Sequence, residues 1–202
     1  KIADILIKDY GLKGQLTKMV AYQDLNYRLD TPDDQRFVVK ITMNPSERDF
    51  VLSQNSIFLK LSGDQFPKLL PTRTGHHHVD IVISDIPRPL RVLHFIEGVF
   101  AGEIKPKPAF FTDFGRLLGQ LDKELDSLDN PVLRCQSHEW DLSRFQELAH
   151  LMEFISDPEL KRLIHYFFMM HREKVVPVFH HLPKGLIHGD ANDWNVLVED
   201  QN

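Results

Sequence analysis

Residues 185–198 read Gly-Leu-Ile-His-Gly-Asp-Ala-Asn-Asp-Trp-Asn-Val-Leu-Val. The run packs His188, Asp190, Asn192, Asp193 and Asn195 between Leu186-Ile187 on one side and Val196-Leu197-Val198 on the other. That pattern predicts a polar loop between two short buried strands. Asp190 and Asn195 stand five positions apart, so one loop can aim a carboxylate and a side-chain amide at neighbouring points. Asn and Asp are also ordinary turn residues, and a polar hairpin without chemistry is the alternative reading.

Composition narrows the setting. A chain of 202 residues holds one large domain or two small ones, and 42% hydrophobic content is enough for a core. With 24 basic and 29 acidic residues the formal charge is -5. No general attraction to nucleic acid or to an anionic membrane is expected, and an anionic ligand must be held by a local site. The single Cys135 excludes an intramolecular disulfide framework and suits a reducing compartment. No apolar run approaches the ~20 residues of a membrane-spanning helix, and the N-terminus lacks a signal-peptide pattern. A cytoplasmic protein without a membrane or nucleic-acid partner is the expectation.

The first half reads as strands. Ile2, Ile5, Leu6 and Tyr10 predict a short amphipathic helix closed by Gly11. Strands follow at 16–22, 25–29 and 36–42, with a turn at 31–35. Asn44-Pro45-Ser46-Glu47 is a capped helix start with proline at the first position, and that helix runs to about Leu61. Strands at 79–84 and 90–96 are joined by the proline-rich turn Ile86-Pro87-Arg88-Pro89, and Glu97-Gly98 ends the sheet. Neighbouring histidines on an extended segment point to opposite faces, so His76-His77-His78 reads as a solvated hairpin rather than a metal site.

The second half is helical. Phe110, Phe114, Leu117, Leu118, Leu121, Leu125 and Leu128 recur at helical spacing after Pro108. Asp141 is expected to cap a helix whose buried stripe is Phe145, Leu148, Met152 and Ile155. Asp157-Pro158 starts another helix carrying Leu160, Leu163, Ile164, Phe167, Phe168 and Val175. The histidines at 150, 165, 171, 180 and 181 are assigned no chemistry.

His188-Gly189-Asp190 followed by Asn195 resembles the catalytic loop of the aminoglycoside phosphotransferase and choline kinase superfamily, and the longer run 187–197 is most similar to its hydroxylysine-kinase-like branch. The resemblance covers nearly the whole chain, with His188 to Asn195 as its one highly specific motif. It implies an α+β, two-lobed protein-kinase-like fold, with an antiparallel-sheet N-lobe over 1–96 and a helical C-lobe over 97–202 that is incomplete. The implied activity is transfer of the terminal phosphate of ATP or GTP to a small-molecule hydroxyl, an amino alcohol such as hydroxylysine.

The resemblance also implies roles. Asp190 would orient or deprotonate the acceptor hydroxyl, His188 would brace the loop, and Asn195 would bind Mg²⁺. Lys40, embedded in Val-Val-Lys-Ile, resembles the strand lysine that reaches nucleotide phosphates, although a strand lysine is also often just solvated. Gln23, Asp24 and Asn26 fall where the superfamily covers the phosphates, with an ordinary hairpin as the equal alternative. The backbone around Phe95, Ile96 and Glu97 corresponds to the segment that hydrogen-bonds a purine. Trp140-Asp141-Leu142 resembles a stretch near the acceptor pocket.

Three features depart from the pattern. Kinases of this fold pair the strand lysine with a helix carboxylate, but the acidic position two residues before Gln54-Asn55 is Leu52 here. Either Glu47 is the partner or no ion pair forms. Asp113-Phe114-Gly115 spells the metal-binding triplet of protein kinases, yet it precedes the loop and sits inside a predicted helix, so it reads as coincidence. The second metal-binding aspartate of the superfamily falls after the loop, and Asp200 is too close to Asn195 to be it. Since the sequence starts at Lys1 and stops at Asn202, the expectation is a piece of a longer protein, poorly active alone and continuing into further domains. The competing class is a non-catalytic, pseudokinase-like module that binds a nucleotide or metabolite.

Overall fold

The computed structural model describes residues 1–21, 24–134 and 141–199. Five strands form an antiparallel sheet in the order β1-β2-β3-β5-β4: β1 Gln15–Met19, β2 Leu25–Asp30, β3 Arg36–Ile41, β4 Val79–Ile83 and β5 Ile86–His94. Alternation along β3 decides what each face does. Phe37, Val39 and Ile41 turn to one side and pack with Leu29, Ile81, Leu90 and Val92. Leu6 and Tyr10 cover that side from an N-terminal helix, α1 Ile2–Ile5, which continues as one π-helical turn over Leu6–Tyr10 and stops at Gly11.

The opposite face of the same strands is polar at its centre. Lys40 in β3 stands directly across from Asn26 in β2 and from Arg91 in β5, so one row of the sheet reads Asn26, Lys40, Arg91. Helix α2, Arg48–Lys60, lies against this row. It is preceded by a 3-10 turn over Pro45–Glu47, which Asn44 caps by accepting a hydrogen bond from the Ser46 N–H.

The β4–β5 hairpin differs from the sequence expectation. Ser84 and Asp85 form the turn, with φ of 50° and 61°, and the prolines lie within β5, opposite Val82 and Asp80. The Thr42 N–H donates to the Pro89 carbonyl, so the missing proline N–H would have faced the same way, away from β4. The ladder to β4 therefore loses nothing, and proline can occupy a strand here.

Beyond the sheet, β6 Val99–Phe100 pairs antiparallel with β7 Leu197–Val198. Helix α3, Pro108–Asp126, buries Leu121 and Leu125 against Phe66, with Leu117, Leu128 and Leu186 partly buried around them. Helix α4 is the single turn Pro131–Arg134. The chain divides into two compact units, one comprising 1–134 with 186–202 and the other 135–185.

In the second unit, Asp141 caps by accepting from the Ser143 N–H, as expected, but 142–154 winds as a 3-10 helix. At three residues per turn a stripe spaced for 3.6 drifts around the axis, and Leu148 of the expected buried set is left 38% exposed. Helix α5, Pro158–Met170, starts at its Asp157 cap and buries Phe168, which stacks on Phe145 with ring centroids 4.4 Å apart. Leu160, Leu163 and Phe167 of the expected stripe remain exposed. A π-helical turn over His171–Val175 leads into α6, Val176–Phe179. Among the described residues no helix is long and apolar enough to cross a membrane, and no cluster of three or more His, Cys, Asp or Glu is placed to hold a metal ion. His76 to His78 lie in the loop before β4.

Candidate active site

The polar run folds into a loop closed by its own side chains. Asn195 Nδ2 donates to the Asp190 main-chain carbonyl at 2.8 Å and to Asp190 Oδ2 at 2.8 Å. Asn192 Nδ2 donates to Asp190 Oδ1 at 2.7 Å, so each oxygen of the carboxylate holds one neutral donor. The Asp190 N–H donates to His188 Nδ1 at 3.3 Å, and the Trp194 N–H to Asn192 Oδ1 at 2.9 Å. Each carboxylate oxygen keeps a second lone pair for another donor, and both side chains are exposed. Asn195 Oδ1 accepts no hydrogen bond among the described residues, because the amide nitrogen is the group that closes the loop.

The loop is latched to the segment that follows the sheet. The Ala101 N–H donates to the Val196 carbonyl at 2.9 Å and the Gly102 N–H to the Asp193 carbonyl at 3.1 Å, continuing the β6–β7 pairing. The Trp194 ring packs beside Phe100, centroids 6.0 Å apart. The approach is tight: a Cβ on Gly102 would meet the Trp194 ring at 3.1 and 3.2 Å and Asp193 Oδ2 at 3.3 Å, so those side chains would have to give way. Gly98 has φ of 151°, and a Cβ there would lie 3.1 Å from both Leu197 Cβ and the Val198 carbonyl oxygen. Only one of the two expected flanking strands forms. Leu197–Val198 pairs with β6, whereas Leu186 and Ile187 find no strand partner among the described residues, and Ile187 is 68% exposed.

Lys40 occupies a different kind of environment. Burial and then the neighbouring Arg91 charge pull its ammonium below the usual lysine range, with Asp24 opposing. Among the described residues Lys40 makes no ion pair. Glu47 is engaged elsewhere, accepting from Asn44 Nδ2 at 2.8 Å, so of the two outcomes expected from the leucine at 52 the structure has the second. Asn26 Oδ1, on the next strand, is buried without a partner among the described residues. Asp24 Oδ1 accepts from the Met43 N–H at 3.4 Å, tying the start of β2 to the chain just past β3.

At the end of β5 the Phe95 N–H already donates to the Arg36 carbonyl at 3.1 Å, and Arg36 Nη1 binds Glu97 Oε1 at 2.7 Å. Of the three residues expected to present backbone groups, Ile96 and Glu97 have theirs free among the described residues. Gln23 and Trp140 lie outside the described residues. The structure thus brings Asp190, His188 and Asn195 into one hydrogen-bonded loop and Asn26, Lys40 and Arg91 into one sheet row, with Asp24 beside it. Sequence reading passed over Arg91, Gly102 and Trp194. The signal for Arg91 was a charged residue inside Leu90-Arg91-Val92-Leu93, an otherwise buried strand. Asp113 of the kinase-like triplet lies within α3 and pairs with Arg116, as a helix-surface residue does.

A Mg²⁺ ion is served by one or two protein oxygens, with phosphate and water supplying the rest of its shell. The free Asn195 Oδ1 beside a fixed carboxylate fits that demand. A cavity of about 310 Å³ opens next to the loop, walled by Pro106, Phe110, Phe111, Phe114, Asp193 and Val196.

Solved structures share this fold at low identity. A spectinomycin phosphotransferase, in complex with ADP and spectinomycin, superposes with a TM-score of 0.63 at 13% identity, covering 99% of this chain and 65% of that one. An amicoumacin kinase in complex with AMP-PNP and Ca²⁺ gives 0.54 at 15% identity, over 81% of this chain and 52% of that one. The fold is accordingly α+β and protein-kinase-like, with an antiparallel sheet followed by helices. In sequence, hydroxylysine kinase of Mus musculus is 26% identical over 209 residues, 94% of this chain and 56% of that protein. Hydroxylysine kinase of Danio rerio is 23% identical over 98% of this chain and 59% of that protein. The chain spans a little over half the length of these relatives. Residues 21–202 match the phosphotransferase enzyme family, and the chain belongs to that family.

Proposed function

We propose that this chain carries the phosphate-transfer machinery of a small-molecule kinase that moves the terminal phosphate of ATP to the hydroxyl of an amino alcohol, hydroxylysine or a close relative. The carrying observation is the Asp190–Asn195 closure, two 2.8 Å hydrogen bonds that fix a carboxylate and leave an amide oxygen open beside it. Asp190 accepts the acceptor's hydroxyl proton or orients that hydroxyl for in-line attack, and His188 holds the loop's backbone. Lys40 supplies positive charge to the phosphates, Asp24 and Asn26 stand beside it at the start of β2, and Gln23 is assigned to the same phosphate-facing segment. Ile96 and Glu97 offer free backbone groups to the purine. Asn195 would hold Mg²⁺, which neutralises charge on the phosphates when bound. In this reading residues 1–96 are the nucleotide lobe and 97–202 the catalytic lobe.

The amino-alcohol class is supported by the cavity beside Asp193, where three phenylalanine rings and one carboxylate suit an ammonium group. The named relatives support ATP and a small hydroxylated acceptor. The deciding experiment is ADP release by the full-length protein with ATP and Mg²⁺, against hydroxylysine and a panel of amino alcohols, beside Asp190→Asn. Acceptor-dependent turnover lost in the variant supports the kinase. Nucleotide binding without turnover on any acceptor establishes the pseudokinase-like module instead, the reading that the unpaired Lys40 favours.

A further inference from the structure

Arg91 of β5 is hydrogen-bonded to helix α2. It is 2% exposed, on the central strand pair of the sheet. Its Nη1 donates to the Val51 carbonyl at 3.0 Å and to Asn55 Oδ1 at 3.2 Å, and its Nη2 reaches Gln54 Oε1 at 3.5 Å. The guanidinium carbon also lies 5.8 Å from the Phe58 ring centroid. Four residues over two turns of one helix thus meet a single side chain anchored in the sheet. Asn55 itself is 9% exposed, so its carbonyl oxygen would be costly to leave without a donor.

We propose that Arg91 is a positioning residue that ties α2 to the sheet in place of a lysine–carboxylate pair, and thereby leaves Lys40 uncommitted for an anionic ligand. A planar guanidinium reaches the backbone carbonyl and the two side-chain carbonyls from two separate nitrogens, whereas the three donors of an ammonium all radiate from one atom. The acceptors that Arg91 takes on the helix are neutral, and Asp49, the acid in the first turn of α2, makes no ion pair with Lys40 among the described residues. Lys40, directly across the ladder, feels the charges of Arg91 and Asp24, and Arg91 those of Asp24 and Tyr10. An unpaired cation beside a second cation is poised for a phosphate. That the anion is the nucleotide rests on the function proposed above; the Arg91 link to α2 does not.

The test is amide exchange along α2 in the full-length protein, read beside the titration of Lys40 by ¹³Cε NMR. Arg91→Lys and Gln54→Ala/Asn55→Ala should each speed α2 exchange by about tenfold or more, since hydrogen bonds to a charged group are lost. Lys40→Met should leave it unchanged. Arg91→Lys keeps the charge and so keeps the low Lys40 titration, whereas Arg91→Met moves it upward. Wild-type exchange rates in Arg91→Lys and the double variant, or α2 loosened by Lys40→Met, would overturn the assignment. If Arg91→Met does not fold, Arg91→Lys, the double variant and Lys40→Met still decide between the two outcomes. A wild-type protein that binds no ATP removes the kinase reading and leaves the result on α2 standing.

Discussion

The side-chain amide of Asn195 donates to Asp190 twice, once to the main-chain carbonyl and once to Oδ2, at 2.8 Å each. With Asn192 on Oδ1, the carboxylate faces two neutral donors. An asparagine at 190 accepts at one oxygen only and turns its own N–H groups toward one of them, which also removes the proton acceptor. Asp190→Asn is expected to lower kcat by about 10²- to 10⁴-fold, the range of a positioned general base. Nucleotide affinity stays at the wild-type value. Steady-state turnover and calorimetric titration with ATP check the two halves; equal losses in both would place Asp190 in binding rather than in the chemical step.

Lys40 trades stability for charge. Its ammonium is held below the usual range by burial and by Arg91. Above the folded-state value the unfolded chain binds more protons than the native one, until about pH 10.4. Native stability from this group therefore rises with pH through that window and is reduced below it. Lys40→Met removes the unpaired, half-buried cation, and the ligand-free protein is expected to gain about 0.5–2 kcal/mol at neutral pH. Stabilisation by ATP should vanish in the same variant. Thermal unfolding with and without ATP reads both; a Lys40→Met protein that is less stable than wild type contradicts the unpaired state.

Much of this arrangement was legible in the sequence, for local reasons. The alternation Phe37-Val38-Val39-Lys40-Ile41 announces a strand with Lys40 on the face opposite the aliphatic core. The caps at Asn44, Asp141 and Asp157 are side-chain-to-backbone bonds within three residues, and all three form. The loop 188–195 also closes on itself, which is why its spacing could be read directly. What escaped depends on distant partners. The prolines of β5 tolerate a strand because their missing N–H groups face away from β4, where β3 has ended, and Leu186-Ile187 meets no strand to pair with among the described residues. Arg91 finds its acceptors on residues nearly forty positions away, and nothing in its own neighbourhood names them.

Asp113 offers a control against motif reading. It sits on the exposed surface of α3, paired with Arg116 one helical turn away. Exposed pairs of this kind contribute about 0–1 kcal/mol. Asp113→Asn is expected to change stability by no more than about 0.5 kcal/mol and to leave Mg²⁺-dependent turnover intact. A variant whose Mg²⁺ requirement shifts would return the triplet to the metal site.

Gly102 carries the coupling between the sheet's exit strand and the loop. Its N–H donates to the Asp193 carbonyl, and the space where a side chain would stand is taken by the Trp194 ring and Asp193 Oδ2. A methyl group there sits 3.1 to 3.3 Å from those atoms, so either the exposed indole swings out or the loop retreats. Overpacking of this kind costs roughly 1–3 kcal/mol where the surroundings cannot yield. Because Trp194 is exposed, Gly102→Ala should fall near the low end, about 1 kcal/mol. The larger effect is on geometry, since Asp190 and Asn195 flank the displaced residues. In a Trp140→Phe background Trp194 is the remaining tryptophan, and its emission reports the move. Gly102→Ala is expected to shift that emission and to lower kcat more than it raises the KM for ATP. An unchanged emission spectrum with full turnover would show that the latch does not hold the loop in register.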